Sequence, residues 1–169
     1  MNVSVYEDRH ERVLGIYPNS YGFGFALMQG ALTVIDKGMV KIKPACNTTA
    51  MTKIKELIEK YEPERVILED FQANRLGKSA RIKQLIRSIL SYLNAKDISA
   101  SQYSREQIRL VFAIWNANSR YEIAEVIARN IPKLKMLFYD KPKYPKSEVY
   151  QSGLFDAVSI CICHYYLTT

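Results

Sequence analysis

Two carboxylates are placed where they could act on a substrate. Glu69 lies near the end of a short apolar run, residues 65–71, and Asp156 lies in the first turn of an apolar closing segment, residues 154–167. Nucleases that use two Mg²⁺ ions hold the metals and the scissile phosphate with such acids. The alternative is structural, because a negative charge is favourable at a helix N-terminus and Glu69 can simply end a strand at the surface. Glu69 and Asp156 are therefore candidate catalytic and metal-binding residues, although two carboxylates are few for a site that holds two Mg²⁺ ions.

A run of positive charge follows Glu69 along the chain. Residues 74–87 contain five basic side chains and no acidic one: Arg75, Lys78, Arg81, Lys83 and Arg87. The formal net charge of the 169 residues is +7, and clustered Lys and Arg bind polyanions because phosphate contacts release counterions. A solvated helix face is the alternative. The position beside Glu69 favours phosphate, so we predict that Arg75, Lys78, Arg81 and Lys83 contact a nucleic-acid backbone.

The elements that would position these residues begin with strands. Short apolar runs at residues 13–17, 21–28, 32–35 and 39–42 are separated by turn signals such as Asp36-Lys37-Gly38, and the simplest interpretation is a three-stranded antiparallel meander. The run at 65–71 is typical of a buried parallel strand whose carboxyl end opens onto a site. Residues 98–103 predict one more short strand.

Helices fill the intervals between these strands. Apolar residues at helical spacing predict helices over 48–61 and from about Arg75 to Leu93. Ser104-x-x-Gln107 and Ser119-x-x-Glu122 have the form of capping boxes, which predict helices through Trp115 and Asn130. Prolines and lysines mark residues 132–151 as a loop. The order β-β-β-α-β-α-β-α-α-α predicts an α/β protein, with a five-stranded mixed sheet flanked by helices.

The composition is that of a globular protein. Hydrophobic residues make up 48% and charged residues 24% of the chain, which argues against a fibrous or disordered protein. The length suits a single domain over residues 1–169. No apolar run reaches the roughly 18 residues of a membrane span, and the first residues lack a signal-peptide pattern, so we expect a cytoplasmic protein without a membrane partner. Three cysteines, Cys46, Cys161 and Cys163, fit no zinc or redox spacing, and we expect them to be reduced and buried.

Four segments in register resemble the RuvC family of Holliday-junction resolvases, in the RNase H-like superfamily. Residues 13–24 are similar to that family's first-strand motif and residues 66–73 to its second, residues 103–120 to its late strand and helices, and residues 155–164, ending in His164, to its closing motif. The resemblance covers nearly the whole chain. It implies an RNase H-like (RuvC-like) fold, Mg²⁺-dependent cleavage of branched DNA, and a homodimer whose two-fold symmetry suits a four-way junction.

The departures from the family's pattern fall at its acids. Tyr17 stands where the family has its first-strand Asp, and Gly153 stands where it has another metal-binding Asp, three residues before Asp156. A phenol, with a pKa of about 10, is neutral at pH 7 and is a poor ligand for Mg²⁺. Glu69 and Asp156 carry over as the catalytic and metal-binding residues, but the two-metal mechanism does not carry over intact. Substitute acids remain open: Asp70, Asp140 and Glu148.

Phe71, Arg120 and His164 are three further residues of interest in these segments. Phe71 follows the acid-bearing strand, where it can stack on an unpaired base, an interaction worth roughly 1–3 kcal/mol, or pack under the next helix. Arg120, at the end of the segment that resembles the family's late helices, is a candidate ligand for nucleic acid. His164 lies about two helical turns, or about 12 Å, beyond Asp156, so we expect it to be structural.

Three functions are open at this point. The first is a RuvC-like protein that binds branched or structured DNA, with nuclease activity lost or reduced because Tyr17 and Gly153 replace carboxylates. The second is an active Mg²⁺-dependent junction endonuclease with substitute acids. The third is a structural or partner-binding protein that keeps only the fold, since a fold does not fix a function.

Overall fold

The computed structural model describes residues 9–71, 79–143 and 149–169. Its strands are β1 (Val13–Asn19), β2 (Gly22–Met28), β3 (Val34–Lys41), β4 (Arg65–Glu69) and β5 (Ser99–Tyr103). Its helices are α1 (Asn47–Tyr61), α2 (Ala80–Ala95), α3 (Arg105–Phe112), α4 (Arg120–Asn130), α5 (Pro132–Lys135) and α6 (Ser152–Leu167), with a 3₁₀ turn at Ala113–Trp115. The order agrees with the predicted one except for the short helix α5.

The five strands form one mixed sheet in the order β3-β2-β1-β4-β5. The pairs β1–β2 and β2–β3 are antiparallel, whereas β1–β4 and β4–β5 are parallel. The predicted α/β fold with a five-stranded mixed sheet is therefore confirmed. Because β1 and β4 are adjacent and parallel, Tyr17 and Glu69 both lie toward the carboxyl ends of their strands. These ends form one end of the sheet, which is called the sheet edge below.

The third strand differs from the prediction. Two runs separated by a turn at Asp36-Lys37-Gly38 were expected, but β3 continues through these residues and pairs with β2 along its length. A polar Asp-Lys pair is tolerated because β3 is an edge strand, where alternate side chains reach solvent. Gly38 sits under the ring of Phe25, at a distance where an added Cβ would lie 3.0 Å from Cε1.

Helix α6 is the central helix of the fold. All its residues from Ser152 to Tyr165 are buried, as expected of a helix that is apolar on every side. It packs on β1 and β2 and lies beneath α3 and α4. Its approach to the sheet is close at Gly153, because an added Cβ on Gly24 of β2 would lie 2.1 Å from the Gly153 carbonyl oxygen. The helix thereby carries Asp156 to the sheet edge that also holds Tyr17 and Glu69.

Several predicted helix ends shift. Helix α2 begins at Ala80, where the Ser79 hydroxyl accepts a hydrogen bond from the backbone N–H of Ile82 and caps the helix. The predicted start near Arg75 lies outside the described residues. Helix α3 ends at Phe112, and the predicted helical residues that follow form the 3₁₀ turn. Helix α5 begins at Pro132, inside the predicted loop, since proline is suited to the first turn of a helix. Of the cysteines, Cys161 and Cys163 are buried, whereas Cys46 is only partly buried.

Both predicted capping boxes form. The Ser104 hydroxyl accepts a hydrogen bond from the backbone N–H of Gln107, and the Ser119 hydroxyl accepts one from the backbone N–H of Glu122. In return, the side-chain oxygens of Gln107 and Glu122 accept from the backbone N–H groups of Ser104 and Ser119. The residue after each serine is therefore the first residue of a well-fixed helix. In the described ranges, none of the helices combines the length and apolarity required to cross a bilayer.

Candidate functional site

The two carboxylates predicted as site residues lie on either side of Tyr17. Glu69 ends β4 and Asp156 lies near the start of α6, and the two residues are only 3% and 5% exposed. Tyr17, on the adjacent strand β1, is also buried. Arg105 contacts both Tyr17 and Glu69, and Arg120 contacts both Tyr17 and Asp156. Glu69 and Asp156 are therefore brought together around one aromatic side chain.

Arg105 joins Tyr17 to Glu69. Its Nη2 forms an ion pair with Glu69 Oε1 at 3.0 Å and donates a hydrogen bond to the Tyr17 phenol oxygen at 3.1 Å. The Arg105 side chain is 12% exposed, so this ion pair is almost fully removed from water. Because Arg105 is the first residue of α3, the capping serine at position 104 fixes where its backbone begins.

Arg120 joins Tyr17 to Asp156. Its Nε donates to Asp156 Oδ1 at 3.3 Å, and its Nη2 donates to Oδ2, so the guanidinium holds both carboxylate oxygens. The Arg120 Cζ lies 5.4 Å from the centre of the Tyr17 ring, within the range of a cation–π contact. Arg120 is the first residue of α4, as Arg105 is of α3, and its side chain is 36% exposed.

The cluster formed by Tyr17, Glu69, Arg105, Arg120 and Asp156 has no net charge. Two carboxylates, Glu69 and Asp156, face two guanidinium groups, which stay protonated in proteins. Burial and then the charges of Asp156 and Glu69 raise the pKa of Tyr17 well above its ordinary value, so the phenol is uncharged. The charge of Asp156 likewise raises the pKa of Arg120, against the opposing effect of burial. The site is thus a pair of compensated ion pairs around a neutral phenol.

Gly153 has no room for a side chain. An added Cβ would lie 2.5 Å from Asn19 Nδ2 and 3.0 Å from Met39 Sδ. Asn19 is itself held in the turn between β1 and β2, where its Oδ1 accepts from the backbone N–H groups of Tyr21 and Gly22 at 2.9 and 3.1 Å. An aspartate at position 153 would therefore require the turn to move.

The residues present do not fit two Mg²⁺ ions. Mg²⁺ favours several oxygen ligands in an octahedral arrangement, and no group of three or more His, Cys, Asp or Glu side chains within residues 9–71, 79–143 and 149–169 is placed to hold a metal. Both acids of the cluster are already paired with arginine. Among the substitute acids, Asp70 is half-buried beside a different cavity and Asp140 is exposed. Glu148 lies outside the described residues.

The predicted nucleic-acid residues are dispersed. Phe71 is 4% exposed and meets the Tyr17 ring edge-on at 6.0 Å between centroids, so it packs in the core and would have to move to stack on a base. The carbonyl oxygen of Arg81 accepts from Asn47 Nδ2 at 3.0 Å. Lys83 lines a cavity of about 190 Å³ with Asp70, Phe71 and Arg87. Arg75 and Lys78 lie outside the described residues. The side chain of Arg120 is ion-paired with Asp156.

His164 belongs to a separate network. Its Nε2 lies 2.9 Å from Glu11 Oε1 and its Nδ1 lies 2.6 Å from the Tyr103 hydroxyl. Since an ionised carboxylate only accepts hydrogen bonds, Nε2 donates to Glu11 and Nδ1 accepts from Tyr103. Arg65 pairs with the same Glu11 oxygen at 3.0 Å. His164 therefore has a structural position, as the sequence predicts.

Arg105 is the main site residue that sequence reasoning missed. It lies in the segment that resembles the family's late helices, but no role was assigned to it. A signal was available: a Ser-Arg pair opens each of the two capping boxes, at residues 104–105 and 119–120. Two helices that begin in the same way, near the same sheet edge, deliver the same side chain.

Comparison with solved structures identifies the architecture. No protein-family model matches the sequence, and no curated protein matches it. RuvC of Thermus thermophilus superposes with a TM-score of 0.62 at 20% identity, over 92% of this chain and 95% of that one. The same protein in complex with a Holliday-junction substrate gives 0.62 at 19% identity, over 92% and 94%. The yeast mitochondrial Holliday-junction resolvase Ydc2 gives 0.58 at 12% identity, over 90% and 77%. The chain therefore has the RuvC-like fold.

Proposed function

We propose that this protein binds branched or structured DNA and does not cleave it. The observation that carries the proposal is the neutral cluster at the sheet edge, where both predicted catalytic acids are ion-paired with arginine. The fold gives the proposal its substrate class, because a neighbour of the same fold was solved with a Holliday junction.

Loss of cleavage follows from what a phosphodiester hydrolase needs. Metal-dependent hydrolysis requires cations that activate a water and stabilise the charge on the phosphate. Here Tyr17 is neutral, Gly153 has no side chain, and Glu69 and Asp156 are engaged by Arg105 and Arg120. None of these groups is free to act as a general base toward a water molecule.

DNA binding is supported by basic side chains next to this cluster. Lys83 and Arg87 line the cavity that also contains Asp70 and Phe71, which directly follow Glu69. Contacts from such residues to phosphate groups supply affinity without reading sequence. A homodimer is part of the proposal, since a two-fold symmetric pair would present two such surfaces to a four-way junction.

The test is binding and cleavage of a fluorescent four-way junction, with a linear duplex of equal length as the comparison. We expect tighter binding to the junction, an affinity that falls steeply with salt, and no cleavage with Mg²⁺ or Mn²⁺. The variant K83Q/R87Q should reduce the slope of log affinity against log salt by about two. The variant K53Q/K60Q removes the same charge from α1 and is the matched control.

Two outcomes would contradict this proposal in different ways. Cleavage that disappears in Glu69→Gln would establish an active nuclease. The absence of junction and duplex binding at low salt would indicate a partner-binding protein that uses only the fold.

A further inference from the structure

We infer that Arg105 and Arg120 exclude divalent metal ions from this site, so that the lack of acids at positions 17 and 153 is not the only obstacle to metal binding. The inference deepens the proposed function and rests on its claim that nuclease activity is lost. It assigns a positive role to two arginines that would otherwise count as ordinary ion-pair partners.

The carboxylate oxygens of the site are already in contact with arginine. Arg120 holds Asp156 through both oxygens, and Arg105 holds Oε1 of Glu69. A two-point contact between guanidinium and carboxylate is among the strongest hydrogen-bonded pairs in proteins. A metal ion must displace these contacts before it can bind.

Charge also opposes metal binding. The cluster is neutral without a metal, since two guanidinium groups balance Glu69 and Asp156. A divalent ion added among these buried groups would leave two uncompensated positive charges in a region of low dielectric, where like charges repel strongly. Arginine cannot relieve this repulsion by losing a proton, whereas lysine could.

The arginines are also held in place. Each follows the capping serine of its helix and therefore extends from the first residue of a fixed backbone. Tyr17 supports both, because its hydroxyl accepts from Arg105 and its ring lies against Arg120. The guanidinium groups are thus positioned before any ligand arrives.

Restoring an acid at position 17 should therefore be insufficient. Arg105 Nη1 is buried and has no hydrogen-bond acceptor within residues 9–71, 79–143 and 149–169, so it can donate to a new carboxylate. Tyr17→Asp should form another ion pair and still bind no metal. Only removal of the arginines as well should leave three acids with unbalanced charge, which attract a divalent ion.

The experiment measures Mn²⁺ binding without DNA, by the loss of the free-ion signal in electron paramagnetic resonance and by the Mn²⁺-induced shift in melting temperature. The proteins are the wild type, Y17D, Y17D/R105Q and Y17D/R105Q/R120Q. The matched control is Y17D/R109Q/R129Q, which removes two exposed arginines from the same helices, α3 and α4. We expect no site-specific binding by the wild type, Y17D or the control, and at least tenfold tighter binding by the triple variant.

Mn²⁺ binding by Y17D as tight as that of the triple variant would overturn the inference, as would equal binding by the control. So would Mn²⁺ binding by the wild type that Glu69→Gln abolishes. If the triple variant does not fold, Y17D/R105Q decides, because it must bind Mn²⁺ more tightly than Y17D. Failure here leaves junction binding untouched, whereas failure of the proposed function would appear as cleavage or as absent DNA binding.

Discussion

Helix α6 carries two buried polar networks that are built differently. Near its start, Asp156 belongs to a cluster of carboxylates and guanidinium groups around Tyr17. Near its end, His164 is hydrogen-bonded between Tyr103 and Glu11, and Arg65 holds Glu11 in turn. The first network consists of charged groups around a neutral phenol, whereas the second adds an imidazole to the Glu11–Arg65 ion pair.

Both networks supply partners to buried polar groups, but their consequences differ. In the first, the two arginines stay protonated and the Tyr17 phenol stays neutral near pH 7. The second contains a histidine, whose ordinary pKa lies close to neutrality. The charged cluster should therefore contribute most to stability, whereas the histidine network should contribute most to the pH dependence of stability.

The largest expected effect comes from Arg105→Gln. This change removes the guanidinium group that pairs with the buried Glu69 carboxylate, and breaking a buried ion pair costs about 3–5 kcal/mol. The free energy of unfolding, measured by urea denaturation, should fall by that amount.

Arg109→Gln, on the exposed side of the same helix, is the control and should change stability by less than about 0.5 kcal/mol. If Arg105→Gln changed the free energy of unfolding no more than Arg109→Gln does, the cluster would contribute no more to stability than a surface charge, and the proposed difference between the two networks would be wrong.

Gly153→Ala should have the next largest effect, and its sign is diagnostic. At an open helical position, alanine is more favourable than glycine by about 1 kcal/mol. Here the methyl group would meet Asn19 Nδ2 at 2.5 Å, so we expect a destabilisation of about 1–3 kcal/mol from overpacking. A stabilised variant would show that the turn yields easily and that an acid could be accommodated at this position.

The sequence was sufficient for most of the fold and for the placement of Glu69 and Asp156 around Tyr17, whereas their role as site residues stays a prediction. Local patterns predict a strand ending at Glu69 and a helix starting near Asp156, and the direction of parallel strands brings such ends together. The interrupted β3 was mispredicted, because Asp36-Lys37-Gly38 has the composition of a turn and only pairing with β2 keeps it extended.

The partners of the acids could not be predicted in the same way. Arg105 meets Glu69, and Arg120 meets Asp156, across 36 residues in each case. No periodicity connects residues so far apart, and a basic residue at the start of a helix is normally read as a solvent-exposed side chain. The absence of space at Gly153 was equally invisible, because it depends on how α6 packs against β2.

The third prediction concerns the histidine network. Tyr103→Phe removes the hydroxyl that lies 2.6 Å from His164 Nδ1, and loss of one buried hydrogen bond should reduce the free energy of unfolding by about 1 kcal/mol. Tyr166→Phe, at an exposed position of α6, is the control and should have little effect. A Tyr103 variant more damaging than Arg105→Gln would reverse the proposed ranking of the two networks.

The smallest effect is a change in the pH dependence of stability. Burial lowers the pKa of His164 below its ordinary value, with Glu11 acting against this shift, so the folded state binds fewer protons than the unfolded state in this range. Stability should therefore fall as the pH drops through about 6.5, the ordinary histidine value, toward the lower pKa of the folded state. His164→Gln cannot titrate and should flatten the curve of unfolding free energy against pH between 7.5 and 5.5, whereas His10→Gln, which removes an exposed imidazole, is the control. An unchanged slope in His164→Gln would assign the pH dependence to other groups and would leave the two networks alike in their response to acid.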